Sequence, residues 1–361
     1  MNNIFNYATS ELSQDAFLCY WLNFLKINTE SNGKKYSDEA ESARDFLQNI
    51  FEKRKIRIDK IEDIEIQRQY LKIDVLITIN KEYYIVIEDK THTQEHGDQI
   101  NRYVENLKNT IEDKEKLVDR IIPVYYKMFN ESGSKEGIIT IKREDVMSIL
   151  EKYSFKEDTI LDQYSEYLEK IENRTNMFST TEDISKWDNL GFFGFYESLK
   201  IKKQINEDFG DFHYNYISNR NGGFIGAWWM TEGKLVDSFE IINNIYLQFE
   251  LNSKKELQLA IKISYRVPKN QAEVNKLNEE IDSLDNKIGD IDKESKRFQN
   301  KGRRIYKKIA NKKTNDEEDE WRTATFQKNI VGSKIEMKEI STTISEAQKI
   351  MMDFKKIIHR V

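Results

Sequence analysis

Residues 70–103 read YLKIDVLITINKEYYIVIEDKTHTQEHGDQINRY: two β-prone runs, a short polar link between them, and a helix-prone segment after them. Ile, Val and Tyr dominate both runs, the side chains that fit a pleated, half-buried surface. In the first run Ile73, Val75, Ile77 and Ile79 share one face, while Lys72, Asp74, Leu76 and Thr78 share the other. In the second, Tyr84, Val86, Glu88 and Lys90 share a face, and Asp89 points away with Tyr83, Ile85 and Ile87. A hairpin centred on Lys81 pairs Ile79 with Tyr83 and sets Asp74 directly opposite Glu88, with Cβ atoms about 4.5–5.5 Å apart. A two-residue turn at Asn80-Lys81 would instead put Asp74 on the wrong face. The register decides whether there is a site.

Two opposed carboxylates repel each other, and a cation relieves that cost. Oxygen ligands of this kind suit a hard divalent ion, Mg²⁺ or Mn²⁺. Asp74, Glu88 and the backbone carbonyl of Asp89 are the expected ligands. An ion held there would polarise a phosphate and lower the pKa of a bound water. Lys90, on the same face, would orient that water and stabilise developing charge. The alternative is a surface hairpin in which two acids and a lysine form an ordinary exposed ion pair.

Working outward, residues 9–25 (TSELSQDAFLCYWLNFL) predict a helix capped by Thr9 or Ser10. Leu12, Ala16, Phe17, Tyr20 and Phe24 form one apolar stripe, and Leu18, Leu22 and Leu25 lie on the side of Glu11. Glu11 either compensates the helix dipole or aims a carboxylate at the hairpin. A helix at 38–53 follows, then β-runs at 62–67, 70–79 and 83–88, a helix at 98–116, and strands at 121–126 and 137–141. Helices at 143–153 and 156–173 complete this part, and the order defines an α/β unit. Gln99 and Tyr103 fall four apart on one helical face. His92 and His96, with no cysteine nearby, are too few for a zinc site and read as loop residues near a substrate.

The segments Lys72–Ile77, Ile87–Lys90 and Gln99–Tyr103 together resemble the motifs of the PD-(D/E)xK nuclease superfamily. The last resembles the QxxxY helix of its RecB and lambda-exonuclease-like branch. Glu11, in Glu11-Leu12-Ser13-Gln14-Asp15, matches the N-terminal helix acid that completes the metal site in many members. The α-β-β-β-α-β order matches the family core, and the resemblance covers about residues 1–150. It implies a restriction-endonuclease-like fold, a mixed sheet flanked by helices, and a Mg²⁺-dependent deoxyribonuclease. Asp74, Glu88, Lys90 and Glu11 would be catalytic, with Glu11 a further metal ligand, and Gln99, Tyr103 and His92 would face the substrate. Such stand-alone bacterial nucleases often serve restriction, repair or anti-phage defence. RNA cleavage is one alternative, and a non-catalytic nucleic-acid-binding or scaffold protein on a vestigial nuclease fold is another.

The polar stretch 174–190 marks a boundary, giving a nuclease-like domain over 1–175. Residues 186–268 predict a small antiparallel β domain after a helix at 192–207, with strands at 212–218, 224–230, 234–239, 245–251 and 257–266. Residues 269–361 carry two apolar heptad seams, Val274 to Ile309 and Ile330 to Ile358, which predict an antiparallel coiled-coil hairpin. Each arm is about 40 residues, or roughly 60 Å long. The seams leave an intramolecular hairpin and a homodimer both open, and the β domain offers a surface to a partner protein. Nine basic residues between Lys296 and Lys313 form either a phosphate grip or a solvated face. Trp228, Trp229 and Tyr246 read either as base-stacking groups or as core.

Composition sets the outer limits. A formal net charge of −6 excludes a globally basic nucleic-acid coat but not local basic patches. No apolar run approaches a membrane span, and the first residues lack the build of a secretory signal. The one cysteine, Cys19, has no disulfide partner. A cytoplasmic protein is the expectation.

Overall fold

Apolar alternation over residues 64–90 builds a three-stranded antiparallel meander, and the runs at 121–127 and 139–142 extend it in parallel. The computed structural model describes residues 3–29, 37–90, 99–111, 119–130, 137–208, 210–219, 222–231, 239–251, 256–291, 299–300, 320–329 and 337–358. The chain divides into two units, Met1–Arg174 and Thr175–Val361.

In the first unit α1 (Glu11–Thr29) and α2 (Asp38–Arg54) precede β1 (Ile64–Tyr70), β2 (Ile73–Ile79) and β3 (Tyr83–Lys90). Then come α3 (Gln99–Lys108), β4 (Ile121–Lys127), β5 (Ile139–Lys142), α4 (Arg143–Leu150) and α5 (Ile160–Thr175). The sheet runs β1-β2-β3-β4-β5, antiparallel through β3 and parallel from β3 to β5. The parallel step from β3 to β4 requires a crossover, and α3 supplies it. One sheet face (Val75, Ile77, Ile85, Ile87) is fully buried. On the other, Tyr103 and Leu107 of α3 pack against Leu76 and Val86. This is the mixed sheet flanked by helices that the sequence predicts.

The β2–β3 link adopts the register that the parity count requires. Ile79 pairs with Tyr83, and the ladder continues to Val75 with Ile87. Asn80 and Lys81 are both left-handed, at φ 51 and 55. Asn80 offsets that strain with its side chain: its Oδ1 accepts from the N–H groups of Glu62 (2.8 Å) and Asp63 (3.0 Å), and its Nδ2 donates to the Lys60 carbonyl (2.9 Å). Asparagine tolerates this conformation better than most residues because it finds such local partners.

The apolar stripe expected on α1 is displaced. Leu12 and Tyr20 are exposed, and so is Ala16; the buried face is Gln14, Asp15, Phe17, Leu18, Trp21, Leu22 and Leu25. Trp21 decides the orientation, stacking near Phe17 and Phe46 and donating to the Ser42 hydroxyl of α2 at 2.9 Å. Burying that indole outweighs the exposure of Leu12.

In the second unit α6 (Met177–Thr180) and α7 (Asn189–Ile201) lead into β6 (His213–Asn219), β7 (Gly222–Trp229), β8 (Ile242–Leu251) and β9 (Leu257–Arg266). After α8 (Gln271–Ile291) come β10 (Gln299–Asn300), β11 (Glu320–Asn329) and α9 (Met337–Ile358). The strands form one antiparallel sheet in the order β10-β11-β9-β8-β7-β6. The strand expected at 234–239 lies outside the described residues, Phe239 excepted. Trp229 is fully buried and donates to Gln348 at 3.1 Å, so it belongs to the core and not to a stacking surface.

The C-terminal seams are buried, but not as 40-residue arms. Leu277, Ile281, Leu284 and Ile288 of α8 and Ile340, Ile344, Ala347, Met351 and Phe354 of α9 share one core with Leu247, Leu259, Ile261 and Ile263 of the sheet. Within the first seam α8 is described to Ile291, and Gln299–Asn300 is strand. Glu320–Asn329, rich in Thr and aromatic residues, pairs along nearly the whole of β9. A free sheet edge satisfied by backbone hydrogen bonds wins over an extended coiled coil.

Candidate active site

The β2–β3 ladder ends at Val75 and Ile87, and the same register carried one step further sets Asp74 opposite Glu88. Asp74 Oδ2 accepts the backbone N–H of Asp89 at 3.0 Å, and its Oδ1 accepts the Gln69 amide at 3.1 Å. Glu88 is fully buried, and its Oε1 lies 2.6 Å from Nζ of Lys90. Its Oε2 is buried with no hydrogen-bond partner. Lys90 also approaches Glu11 Oε2 of α1 at 3.6 Å. Glu11, Asp74, Glu88 and Lys90 are thus brought together from three elements.

Burial pushes the Glu88 carboxyl up to about 7, and the Asp74 charge pushes the same way against the pull of Lys90. Burial works the other way on Lys90, but the contact with Glu88 and the charges of Glu11 and Asp74 outweigh it and keep the amine protonated. Asp89 points to the opposite sheet face, as its parity requires, where its Oδ1 accepts the Gln14 amide at 2.6 Å. Burial holds its carboxyl well above the usual range, reinforced by Asp15, Asp74 and Glu11.

On α3 the Gln99 amide donates to the Tyr103 hydroxyl. Burial raises the Tyr103 phenol, with the charges of Glu88 and Asp74 acting the same way and Gln99 and Lys90 opposing them. His92, His96 and all nine basic residues from Lys296 to Lys313 lie outside the described residues. A second basic feature is in view: Lys90, Lys127 and Lys142 are consecutive partners across β3, β4 and β5. In-register partners project to one face, about 4.8 Å apart from strand to strand.

Three polar residues join the site that the sequence reading passed over: Gln14, Asp15 and Gln69. Asp15 is 1% exposed and its Oδ2 accepts the Gln69 amide at 3.0 Å. Burial raises its carboxyl to about 6, with Asp74 acting the same way. One signal was available. The helical count that puts Leu18 and Leu22 beside Glu11 puts Asp15 there too, at an offset of four.

Among the described residues, no three of His, Cys, Asp or Glu are gathered into a ready metal-holding group. Lys90 contacts both Glu88 and Glu11, and Asp74 is engaged by Gln69 and the Asp89 N–H. The donor chemistry nevertheless fits a hard cation: the candidate ligand atoms are carboxylate oxygens, one of them, Oε2 of Glu88, buried without a hydrogen-bond partner.

No helix among the described residues is long and apolar enough to cross a membrane. No curated protein and no solved structure matches the chain. One family model, described as the PD-(D/E)XK nuclease superfamily, matches residues 2–190, just over half of the 361. The matched span includes the five-stranded sheet and all of Glu11, Asp74, Glu88, Lys90, Gln99 and Tyr103. The chain belongs to the PD-(D/E)XK nuclease superfamily.

Proposed function

We propose that the protein is a divalent-metal-dependent nuclease that hydrolyses phosphodiester bonds of DNA at the site formed by Glu11, Asp74, Glu88 and Lys90. The observation that carries this reading is Asp74 opposite Glu88 with Lys90 paired to Glu88 at 2.6 Å. Asp74, Glu88, Glu11 and the Asp89 carbonyl would hold Mg²⁺ or Mn²⁺. When bound, such an ion supplies Lewis acidity toward a phosphate oxygen and a water acidified enough to attack. Glu88 and Glu11 keep Lys90 cationic, so its ammonium stabilises the charge that accumulates on the phosphate oxygens. Tyr103, locked by Gln99, packs beside the acids and orients the substrate phosphate. The Gln99–Tyr103 spacing also supports the RecB and lambda-exonuclease-like branch. His92 would approach the substrate from the segment before α3.

The lysine row Lys90-Lys127-Lys142 supports a nucleic-acid backbone as the substrate, since phosphates draw binding free energy from such cations. DNA cleavage in the cytoplasm, in restriction, repair or anti-phage defence, is the setting this reading implies. The test is direct. Purified protein is incubated with plasmid, linear duplex and RNA, each with Mg²⁺, Mn²⁺ or EDTA. Metal-dependent cutting of DNA that Glu88→Gln abolishes is the expected result. Cutting of RNA alone would move the substrate, and absence of both cutting and metal binding would favour a vestigial, scaffold-type protein.

A further inference from the structure

Gln69 stands opposite Asp74 in the β1–β2 register, between the pairs Arg68 with Val75 and Tyr70 with Ile73. Its φ is +54, a left-handed conformation that costs a residue with a Cβ and is open to glycine. Leu71 and Lys72, at φ 53 and 70, form the hairpin turn, where such angles are ordinary. Gln69 precedes that turn, inside the strand. Strain of this kind persists where the surroundings impose it, and functional sites are where it concentrates.

The strained backbone delivers one amide to two carboxylates. Gln69 Nε2 donates to Asp74 Oδ1 at 3.1 Å and to Asp15 Oδ2 at 3.0 Å. The second Asp74 oxygen takes the Asp89 N–H at 3.0 Å. Both oxygens of Asp74 are therefore held, one from β1 and one from β3. An uncharged amide with two hydrogens holds two acids together without neutralising either. A lysine or arginine in its place would compete with a metal ion for Asp74.

We infer that Gln69 is a positioning residue: anchored by the buried Asp15 of α1, it fixes the Asp74 carboxylate in the orientation in which it meets a divalent ion. Its role presupposes the metal-dependent chemistry proposed above.

The full-length parent, Gln69→Gly, Asp15→Asn, Asp15→Ala and Asp74→Asn are compared by Mn²⁺ titration (calorimetry or electron paramagnetic resonance), by melting in EDTA and by cleavage rate against Mg²⁺ concentration. Gln69→Gly relieves the left-handed φ, so its melting temperature in EDTA stays level or rises. Its Mn²⁺ affinity falls about 10-fold or more, the usual effect of losing a group that orients a ligand. The Mg²⁺ concentration for half-maximal cleavage rises by the same factor. Asp15→Asn keeps an acceptor for Gln69 and retains binding, whereas Asp15→Ala follows Gln69→Gly. Parental Mn²⁺ affinity in Gln69→Gly overturns the inference, as does a lower melting temperature with unchanged metal binding. Complete loss of binding in Asp15→Asn, as in Asp74→Asn, would make Asp15 a ligand and also overturn it. A parent that neither binds Mn²⁺ nor cleaves nucleic acid brings down the nuclease reading itself, and is told apart because the failure lies in the parent.

Discussion

Nζ of Lys90 lies 2.6 Å from Oε1 of Glu88, two residues away on the same strand face, with Glu88 sealed from solvent and the Lys90 side chain 9% exposed. A buried pair of this kind contributes little net stability but is costly to break on one side.

Asp74→Asn, Glu88→Gln and Lys90→Met are each expected to lower cleavage by about 10³-fold or more, the range for removing a group that stabilises transition-state charge. Circular dichroism should show the fold intact. Lys90→Met alone should also lose about 3 kcal/mol of stability in EDTA at pH 8, since it leaves Glu88 buried without its counter-charge. Adding Glu88→Gln should restore most of that loss in urea titrations. Equal stabilities of the single and double variants would refute the coupling.

The raised acids set a pH dependence. Glu88 sits at about 7 against an ordinary 4.5, and Asp15 at about 6 against 3.8. Between those values the folded protein holds protons that the unfolded chain has released, so stability of the metal-free protein falls as pH rises from about 4 to 7. Melting in EDTA across pH 4–8 should show the decline, and Glu88→Gln should flatten its upper half. Divalent metal should protect most above pH 7, where Glu88 is ionised. A melting temperature that rises through this window would contradict the assignment.

Lys127 follows Lys90 in the strand row. In a Glu88→Gln background, Lys127→Met should weaken duplex DNA binding and reduce the slope of log K against log salt by about 0.9, one phosphate contact. Fluorescence anisotropy from low to moderate salt measures this. An unchanged slope removes Lys127 from the substrate path.

Lys81 carries φ 55 in the link that sets the register. Lys81→Gly creates Asn80-Gly, the pairing such turns favour, and should raise stability by roughly 0.5–1 kcal/mol without affecting cleavage. Chemical denaturation checks it, and a loss of stability would show that the lysine side chain has a packing role.

The sequence by itself determined that Glu88 and Lys90 share a face and that Asp74 joins them under one turn register, and the β2–β3 pairing of Ile79 with Tyr83 decided for that register. Side-chain direction in a strand alternates with period two, which orders residues within one strand but not between two, and the order of helices and strands followed from local periodicity. For Glu11 the helical count left a dipole-compensating acid and a site acid both open, and its approach to Lys90 at 3.6 Å came from the packing of α1 on the sheet. Gln69, Gln14 and the role of Asp15 were not readable, because a left-handed residue inside a strand and an amide shared by two acids arise from contacts between α1, β1 and β2 that no periodicity encodes. The displaced face of α1 belongs with them: Trp21 packs on Phe46 and Ser42 of another helix. The heptads show the limit from the other side. Apolar spacing announced that α8 and α9 bury a stripe, but the partner was the sheet as well as the other helix, because a stripe records only that it must be covered.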